Sequence, residues 1–195
     1  MAPPRYAARD QLDWRGFLNA VPELEGDDGL PVSTSVLMSG TGLAVLRHDG
    51  GRTYASLDYG HYGGSHGHAD RLQVNFYARG KPWLTDWGTG NYFFDHLRWY
   101  RSSVGHNTVV VDGKTHHAVD GACRRFATTP GAQVVWAAVR DVYPGVEFQR
   151  TLILLSPDLL VDLFRVESGQ VHRLDWVLHP HGKMTLVGPG GPLTL

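Results

Sequence analysis

Between Gly60 and Thr108 the chain gathers residues whose types and spacing can do acid–base and metal chemistry. The run reads Gly60-His61-Tyr62-Gly63-Gly64-Ser65-His66-Gly67-His68-Ala69-Asp70, passes through Thr85-Asp86-Trp87-Gly88, and closes at Gly105-His106-Asn107-Thr108. His66 and His68 flank one glycine, so in extended backbone both side chains leave the same face. Imidazole ligates zinc and other borderline metals, and a carboxylate completes a mixed nitrogen and oxygen shell. Any one of the 11 histidines is more simply read as a partner of backbone or solvent. His66, His68, Asp86 and His106 taken together read as a site. His116-His117 reads as loop, and His179, in the dense His179-Pro180-His181 stretch, is a candidate neighbour of the site.

A second cluster follows. Tyr92, Phe93, Phe94, Trp99 and Tyr100 are interleaved with Asp95, His96, Arg98 and Arg101. The pattern suits a loop or a short helix better than a strand. Aromatic rings mixed with arginine can line a sugar-binding cleft, and rings alone can pin a loop onto a core; composition supports both equally.

The elements that must position these residues are mostly strands. Residues 6 to 25 form the one helical stretch, with Leu12, Phe17, Leu18 and Val21 at helical spacing and Pro22 against continuation. From Val32 onward short alternating runs are separated by Gly, Asp and Pro, the all-β pattern. Strands are expected at Ser35 to Met38, Leu43 to His48, Thr53 to Tyr59, Leu72 to Ala78, Pro82 to Asp86, Thr108 to Asp112, Val134 to Val139, Glu147 to Leu155, Leu159 to Glu167 and His172 to Leu178. Hairpin turns between them favour an antiparallel β-sandwich with a short N-terminal helical segment. A three-residue loop at Arg79-Gly80-Lys81 would pair Ala78 with Pro82 and set Asp86 opposite Val74, on the face of His68 but roughly 20 Å from it at strand rise. A shared metal then requires the stretch holding Gly60, Gly63, Gly64 and Gly67 to bend back, which glycine permits.

Composition excludes several classes. The chain has 195 residues, 42% of them hydrophobic, a globular composition large enough for one core. Its 18 basic and 19 acidic residues give a net charge of −1, so no overall field favours nucleic acid or an anionic membrane. Cys123 is the only cysteine, which excludes an internal disulfide and cysteine-rich zinc folds. No apolar run approaches the roughly 20 residues of a membrane span, and the start, Met1-Ala2-Pro3-Pro4-Arg5, has no signal-peptide core.

The ordered motifs Gly-Ser-His-Gly-His-Ala-Asp, Gly-x-Pro-Trp-Leu-Thr-Asp-Trp-Gly and Trp-Tyr-Arg-Ser-Ser-x-Gly-His-Asn-Thr-Val-Val-Val-Asp-Gly together resemble the heparinase II/III-like polysaccharide lyases, which include heparin/heparan and oligoalginate lyases. The resemblance runs from about Ser35 to about Gly182. It implies an N-terminal α/α toroid joined to a large, supersandwich-like antiparallel sandwich. Residues 1–30 would then be a linker or remnant of the toroid, and 31–195 the sandwich, cut at its C-terminal end. By motif position the resemblance implies a metal, zinc before calcium or manganese, on His68, Asp86 and His106. It also implies His66 facing the substrate, Tyr100 in proton transfer, and cleavage of an acidic, uronate-containing polysaccharide by β-elimination. Arg98 and Arg101 are candidate grips for a substrate carboxylate, beside the plainer reading of each as a surface arginine. The metal is expected to fix the His66 loop rather than act as a Lewis acid. Family habit points to the periplasm or secretion, and to dependence on the toroid half.

Two other classes compete. A cupin-like metal enzyme would share the Gly60 and His66-Gly67-His68 spacing, but Leu72 and Gln73 stand where its glutamate belongs, and its Pro-x-Gly motif is missing. A carbohydrate-binding or structural sandwich without turnover would keep the metal alone. Gly88-Thr89-Gly90 lacks the third glycine and the context of a dinucleotide loop.

Overall fold

A computed structural model of the chain describes residues 34–90, 96–185, 187–188 and 191–192, all within one compact unit, Val32–Leu195. The helix expected over 6 to 25, the toroid remnant expected over 1–30, and Tyr92, Phe93, Phe94 and Asp95 lie outside the described residues.

Alternation of apolar and polar residues builds two main sheets. The first is five-stranded, in sequence order: β1 (Val36–Met38), β2 (Leu43–His48), β3 (Thr53–Asp58), β4 (Gln73–Ala78) and β5 (Lys81–Leu84). After β5 come α1 (Leu97–Arg101) and β6 (Val109–Val111). The second sheet is a meander of β7 (Gly121–Thr128), β8 (Gln133–Tyr143), β9 (Val146–Ser156) and β10 (Leu159–Ser168). β11 (Leu174–Trp176) returns to pair with β6, and β12 (Val187–Gly188) pairs with β13 (Gly191–Pro192). All named strand pairs are antiparallel. The all-β sandwich expected from the sequence is the fold.

The core lies between the two sheets. Ala44, Leu46, Ala55, Leu57 and Val74 come from the first, and Val135, Ala137, Phe148, Leu152 and Leu154 from the second. Each fully buried Leu, Val or Phe side chain contributes about 1.5–3 kcal/mol. β9 shows the alternation most clearly: Val146, Phe148, Arg150, Leu152 and Leu154 face inward and are buried.

Arg150 breaks the apolar rule and explains itself by its partners. It is 0% exposed. Its Nε and Nη2 donate to the Asp162 carboxylate at 2.8 and 2.5 Å, and its Nη1 donates to the Leu72 and Asn107 carbonyls at 2.7 and 2.6 Å. Its guanidinium carbon lies 5.1 Å from the Phe164 ring centre. A buried guanidinium with every side matched to oxygen or an aromatic face is tolerated; one without them is not.

Two details differ from the sequence expectation. The β4–β5 hairpin loop is Arg79-Gly80, not three residues, because Ala78 pairs with Lys81. Arg79 (φ 53°) and Gly80 (φ 73°) both take left-handed backbone, as a tight hairpin turn matched to sheet twist demands. A bulge between the Tyr77 and Phe76 pairs restores the phase, so that Phe76 pairs with Leu84. β7 was not expected: its sequence, with adjacent Arg124 and Arg125, has no clean alternation, and pairing with β8 holds it despite a bulge between Cys123 and Arg125. Exposed arginines on this outer strand of the sheet oppose pairing with a second chain.

His116 belongs to a loop, as expected, yet is buried against Tyr143 and Phe148. Its Nε2 donates to the Val109 carbonyl at 2.9 Å.

Two outcomes are expected. Arg150→Ala, which strands the Asp162 carboxylate, should cost about 3–5 kcal/mol in urea unfolding; a loss under about 1 kcal/mol would refute the role given to it. Burial lowers His116 to about pKa 4, whereas the unfolded chain takes up the same proton below about 6.5. Its contribution is therefore complete above pH 6.5 and is lost as pH falls towards 4, on the order of 3 kcal/mol. His116→Gln should flatten the fall in stability between pH 7 and 4.5, and equal slopes in both proteins would rule this out.

Candidate metal centre and active-site loop

The glycine-rich stretch does bend back. It leaves β3 at Tyr59, where the Gly60 amide donates to Asp58 Oδ1 at 3.0 Å and the buried Arg71 guanidinium holds the Gly60 carbonyl. The Asp120 carboxylate accepts from the Tyr62 amide at 2.8 Å and lies 3.0 Å from His61 Nδ1. A short 3-10 turn, Gly64–His66, follows. The loop closes so tightly that a Cβ on Gly67 would stand 2.8 Å from the Gly63 nitrogen and 3.1 Å from the Tyr62 ring; only glycine fits there. His66 ends this turn exposed, and His68 comes to rest half-buried with its ring centre 5.3 Å from that of His106.

α1 clamps the loop from outside. Arg101 Nη2 donates to the Ser65 carbonyl at 2.7 Å and to that of Gly67 at 3.1 Å, and the Arg101 carbonyl accepts from the Ala69 amide at 3.1 Å. The guanidinium sought as a substrate grip is thus engaged with the backbone on either side of His66. Tyr100 precedes it, half-buried, with its ring against Gly90 and edge-on to Trp99 at 5.2 Å. Arg98 is exposed on the same helix. Trp99 also meets the His179 ring at 5.7 Å.

His106 and Asn107 hang between the sheets' ends. Asn107 Nδ2 donates to the Val74 and Thr85 carbonyls at 3.0 and 3.1 Å, and its Oδ1 accepts from the His179 amide at 2.7 Å. Thr108 Oγ1 donates to the Arg71 carbonyl at 2.7 Å. The Pro180 bridge to Leu84 and the bond from the His181 amide to the Trp83 carbonyl lay the 179–181 segment beside β5. His179 therefore does border the site.

The His106 ring is 1% exposed. Its Nδ1 is 2.8 Å from Gln73 Oε1 and 3.1 Å from Asp86 Oδ2, and Gln73 Nε2 also donates to Asp86 Oδ2. His106 Nε2 is buried with no hydrogen-bond partner among the described residues. One donor atom each from His68, Asp70 and His106 lies within 4.8 Å of the other two. Of the residues singled out in the sequence as ligands, His68 and His106 are brought together, and Asp86 meets His106 at Nδ1. Asp70 stands in the third place of the cluster.

Burial and hydrogen bonding shift the titration of the clustered groups. Burial, helped by the neighbouring His106, lowers the His68 pKa despite Asp70 and Asp86, which favours the neutral, ligating imidazole. Burial pushes Asp86 up, but hydrogen bonds from His106 and Gln73 outweigh it and leave the carboxyl below its usual range. Burial and the charge of Asp70 raise Asp58.

Sequence reasoning passed over Gln73 and did not single out Asp70. Asp70 was visible as the last member of a His-x-His-x-Asp spacing. Gln73 carried a weaker signal: an amide between Leu72 and Val74 at the start of a mostly apolar strand that also holds Asn75.

A family model, Heparinase II/III-like, C-terminal, matches residues 31–191. An alginate lyase of Stenotrophomonas maltophilia (strain K279a) is 35% identical over 172 residues, covering 75% of this chain and 23% of that protein. An exo-oligoalginate lyase of Saccharophagus degradans is 26% identical, with 63% and 20% covered. Among solved structures, the heparinase III product of BT4657 superposes with a TM-score of 0.73 at 18% identity, covering 83% of this chain and 26% of that one. The heparan sulfate lyase HepC of Pedobacter heparinus gives 0.67 at 19% identity, covering 74% and 24%. These two likenesses establish the fold. The chain spans about a quarter of the length of the relatives it matches.

Arg101→Met removes the clamp while keeping most of the side chain's bulk. Amide exchange across residues 61 to 68 should accelerate at least about tenfold, the loss of roughly one or two charged hydrogen bonds, with the β8–β9 core unchanged. Unaltered exchange in the loop would mean the clamp holds nothing.

Proposed function

Because the chain belongs to the heparinase II/III-like, C-terminal family, we propose that it is the sandwich portion of a lyase that cleaves an acidic, uronate-containing polysaccharide by β-elimination. The observation that carries this reading is one loop on which an exposed His66 is separated by one glycine from the half-buried, clustered His68, clamped by the helix that bears Tyr100.

The chemistry needs three things. A base must take the proton at C5, whose electron pair becomes the C4–C5 double bond. An acid must protonate the oxygen that departs from C4. The uronate carboxylate beside C5 must be neutralised so that charge can move onto it. His66 is the exposed imidazole of the loop and serves as base or as partner of the carboxylate. Tyr100, next to the Arg101 clamp, serves as base or as acid to the departing oxygen. Arg98, exposed on the same helix, has the planar fork suited to a carboxylate. Arg101 acts on the backbone of the His66 loop and positions it.

The donor set fits a divalent metal. The orphaned, buried His106 Nε2, the neutral His68 and a nearby carboxylate make a nitrogen-rich shell that suits zinc better than calcium, which prefers oxygen; manganese is a weaker fit. Bound there, the metal supplies a fixed positive charge and a rigid anchor for the loop. His68, locked in place, then orients His66 beside it.

The relatives are named as lyases of alginate and heparan sulfate. Since this chain covers about a quarter of each, the substrate cleft is proposed to be completed by an α/α toroid half. The test is an assay of the chain with the upstream part of the Stenotrophomonas maltophilia relative supplied, against alginate and heparan sulfate oligosaccharides, reading the ultraviolet absorbance of the unsaturated uronate product. Product is expected with wild type and should fall at least about 100-fold with His66→Ala, the usual worth of a general base. Metal content without any product would support a binding sandwich instead. In parallel, His68→Ala should lose the metal; stoichiometric zinc retained in that variant would remove His68 from the ligand set.

A further inference from the structure

At the opposite end of β6 from His106, three side chains are joined by hydrogen bonds. Asp112 follows β6, Ser168 ends β10, and His172 lies in the link to β11. His172 Nδ1 is 2.8 Å from Asp112 Oδ2, and its Nε2 is 3.0 Å from Ser168 Oγ. A carboxylate only accepts, so Nδ1 carries the hydrogen, Nε2 keeps its lone pair, and the Ser168 hydroxyl donates to it. These are the contacts of a Ser-His-Asp relay, with both distances inside the working range of about 2.6–3.2 Å. Such a relay is recognised by geometry and not by the order of its residues along the chain.

Each member is held in place. Asp112 Oδ1 accepts from the Arg173 amide at 3.0 Å, and the Asp112 amide donates to the Arg173 carbonyl at 2.9 Å. Bonds from His172 and from the Arg173 amide keep the Asp112 carboxyl below its usual range, hence ionised. The His172 ring is half-buried and Ser168 is exposed, so the base is shielded while the hydroxyl is open to a ligand. Ser168 Oγ also accepts from the Gln170 amide at 3.2 Å, which fixes it and leaves one lone pair.

Two further features point to a ligand. Ser168 and Gly169 line a cavity of about 370 Å³, within the usual ligand-site range of roughly 300–1,000 Å³. The N–H of Gly169 meets no acceptor among the described residues. The amide that follows a nucleophilic serine is a recurrent donor to a developing oxyanion. Charge around the cavity is largely balanced: Arg140 Nε donates to Glu147 at 3.1 Å, Arg165 pairs with Glu167, and Asp141 adds a negative charge. That lining disfavours an anionic ligand.

We propose that Ser168, His172 and Asp112 form an ester-hydrolysing site that takes a short, uncharged acyl group. Ser168 Oγ bonds to the ester carbonyl carbon while His172 Nε2 takes the hydroxyl proton, and the carbonyl oxygen turns its charge to the Gly169 amide. The bond from that carbon to the alcohol oxygen breaks, and the alcohol leaves with the proton from His172. Water then gives a proton to His172, bonds to the acyl carbon and releases the carboxylic acid, and the proton returns to Ser168 Oγ. The net reaction is ester plus water to acid plus alcohol. Asp112 stays ionised beside the imidazolium and is a positioning residue.

The test uses p-nitrophenyl acetate and a fluorophosphonate probe on the purified chain, as wild type, Ser168→Ala, His172→Gln and Asp112→Asn, with near-ultraviolet circular dichroism to confirm folding. Wild type is expected to release a burst of nitrophenolate approaching one per chain, the mark of an acyl-enzyme, and to carry the phosphonyl adduct on Ser168. Labelling should rise with pH through about 6.5 as the imidazole loses its proton. Ser168→Ala should lose both burst and adduct. His172→Gln should label at least about 100-fold more slowly, the usual worth of a general base, and Asp112→Asn should shift the pH profile as well as slow it. Exposed histidines also hydrolyse nitrophenyl esters, so a burst that persists in Ser168→Ala would overturn the proposal. Folded wild type without an adduct on Ser168 would overturn it too, and so would labelling that His172→Gln leaves unchanged.

Discussion

The guanidinium of Arg150 is the interaction on which the rest of the molecule depends. It sits inside the sandwich, paired with Asp162 on the neighbouring strand, and spends its remaining donor on two carbonyls, Leu72 and Asn107. One carbonyl ends the glycine-rich loop and the other adjoins His106. Neither belongs to a sheet ladder at that point. Leu72 takes left-handed backbone (φ 56°) without being glycine, a conformation that persists only where its surroundings impose it. Taking a cation out of water is expensive, and the cost is offset here because the same group that fills the core also terminates two segments of the site.

From that anchor the site is assembled on fixed parts. β4 supplies Gln73, the end of β5 leads to Asp86, and the turn before β6 supplies His106. The loop from Gly60 to Asp70 is long and irregular, yet most of its ends are tied: by Asp58 and Arg71 at Gly60, by Asp120 at Tyr62, and by Arg101 at Ser65 and Gly67. Functional side chains on loops need a scaffold of this kind to be held to within a fraction of an ångström. His66 is exposed at the end of a short turn.

The strands were legible because a half-buried sheet imposes a period of two. Leu43–His48 was read to its exact ends, and β9 to within a residue. β7 was not, since a bulge and adjacent arginines erase the alternation and pairing with β8 decides the conformation. The β4–β5 turn was misread by one residue because Arg79 takes a positive φ that sequence gives no reason to expect outside glycine. In the site, residue types and order were enough to single out His66, His68, Asp86 and His106. They were silent on which carboxylate faces which nitrogen, because that depends on side-chain hydrogen bonds from Gln73 and Arg71. Arg150 was invisible for the same reason: a charged residue on an inward position reads as outward until its partners are known.

Asn107 joins three segments through a single amide: it donates to the carbonyls of Val74 and Thr85 and accepts from the His179 amide. An aspartate has the same shape but no hydrogen to give, so two carbonyls would face a negative oxygen. Deamidation, the exchange of NH2 for oxygen, would therefore convert the centre of the site from a junction into a repulsion without changing its outline. The packing that excludes water from Asn107 therefore protects this junction against chemical ageing as well as against unfolding.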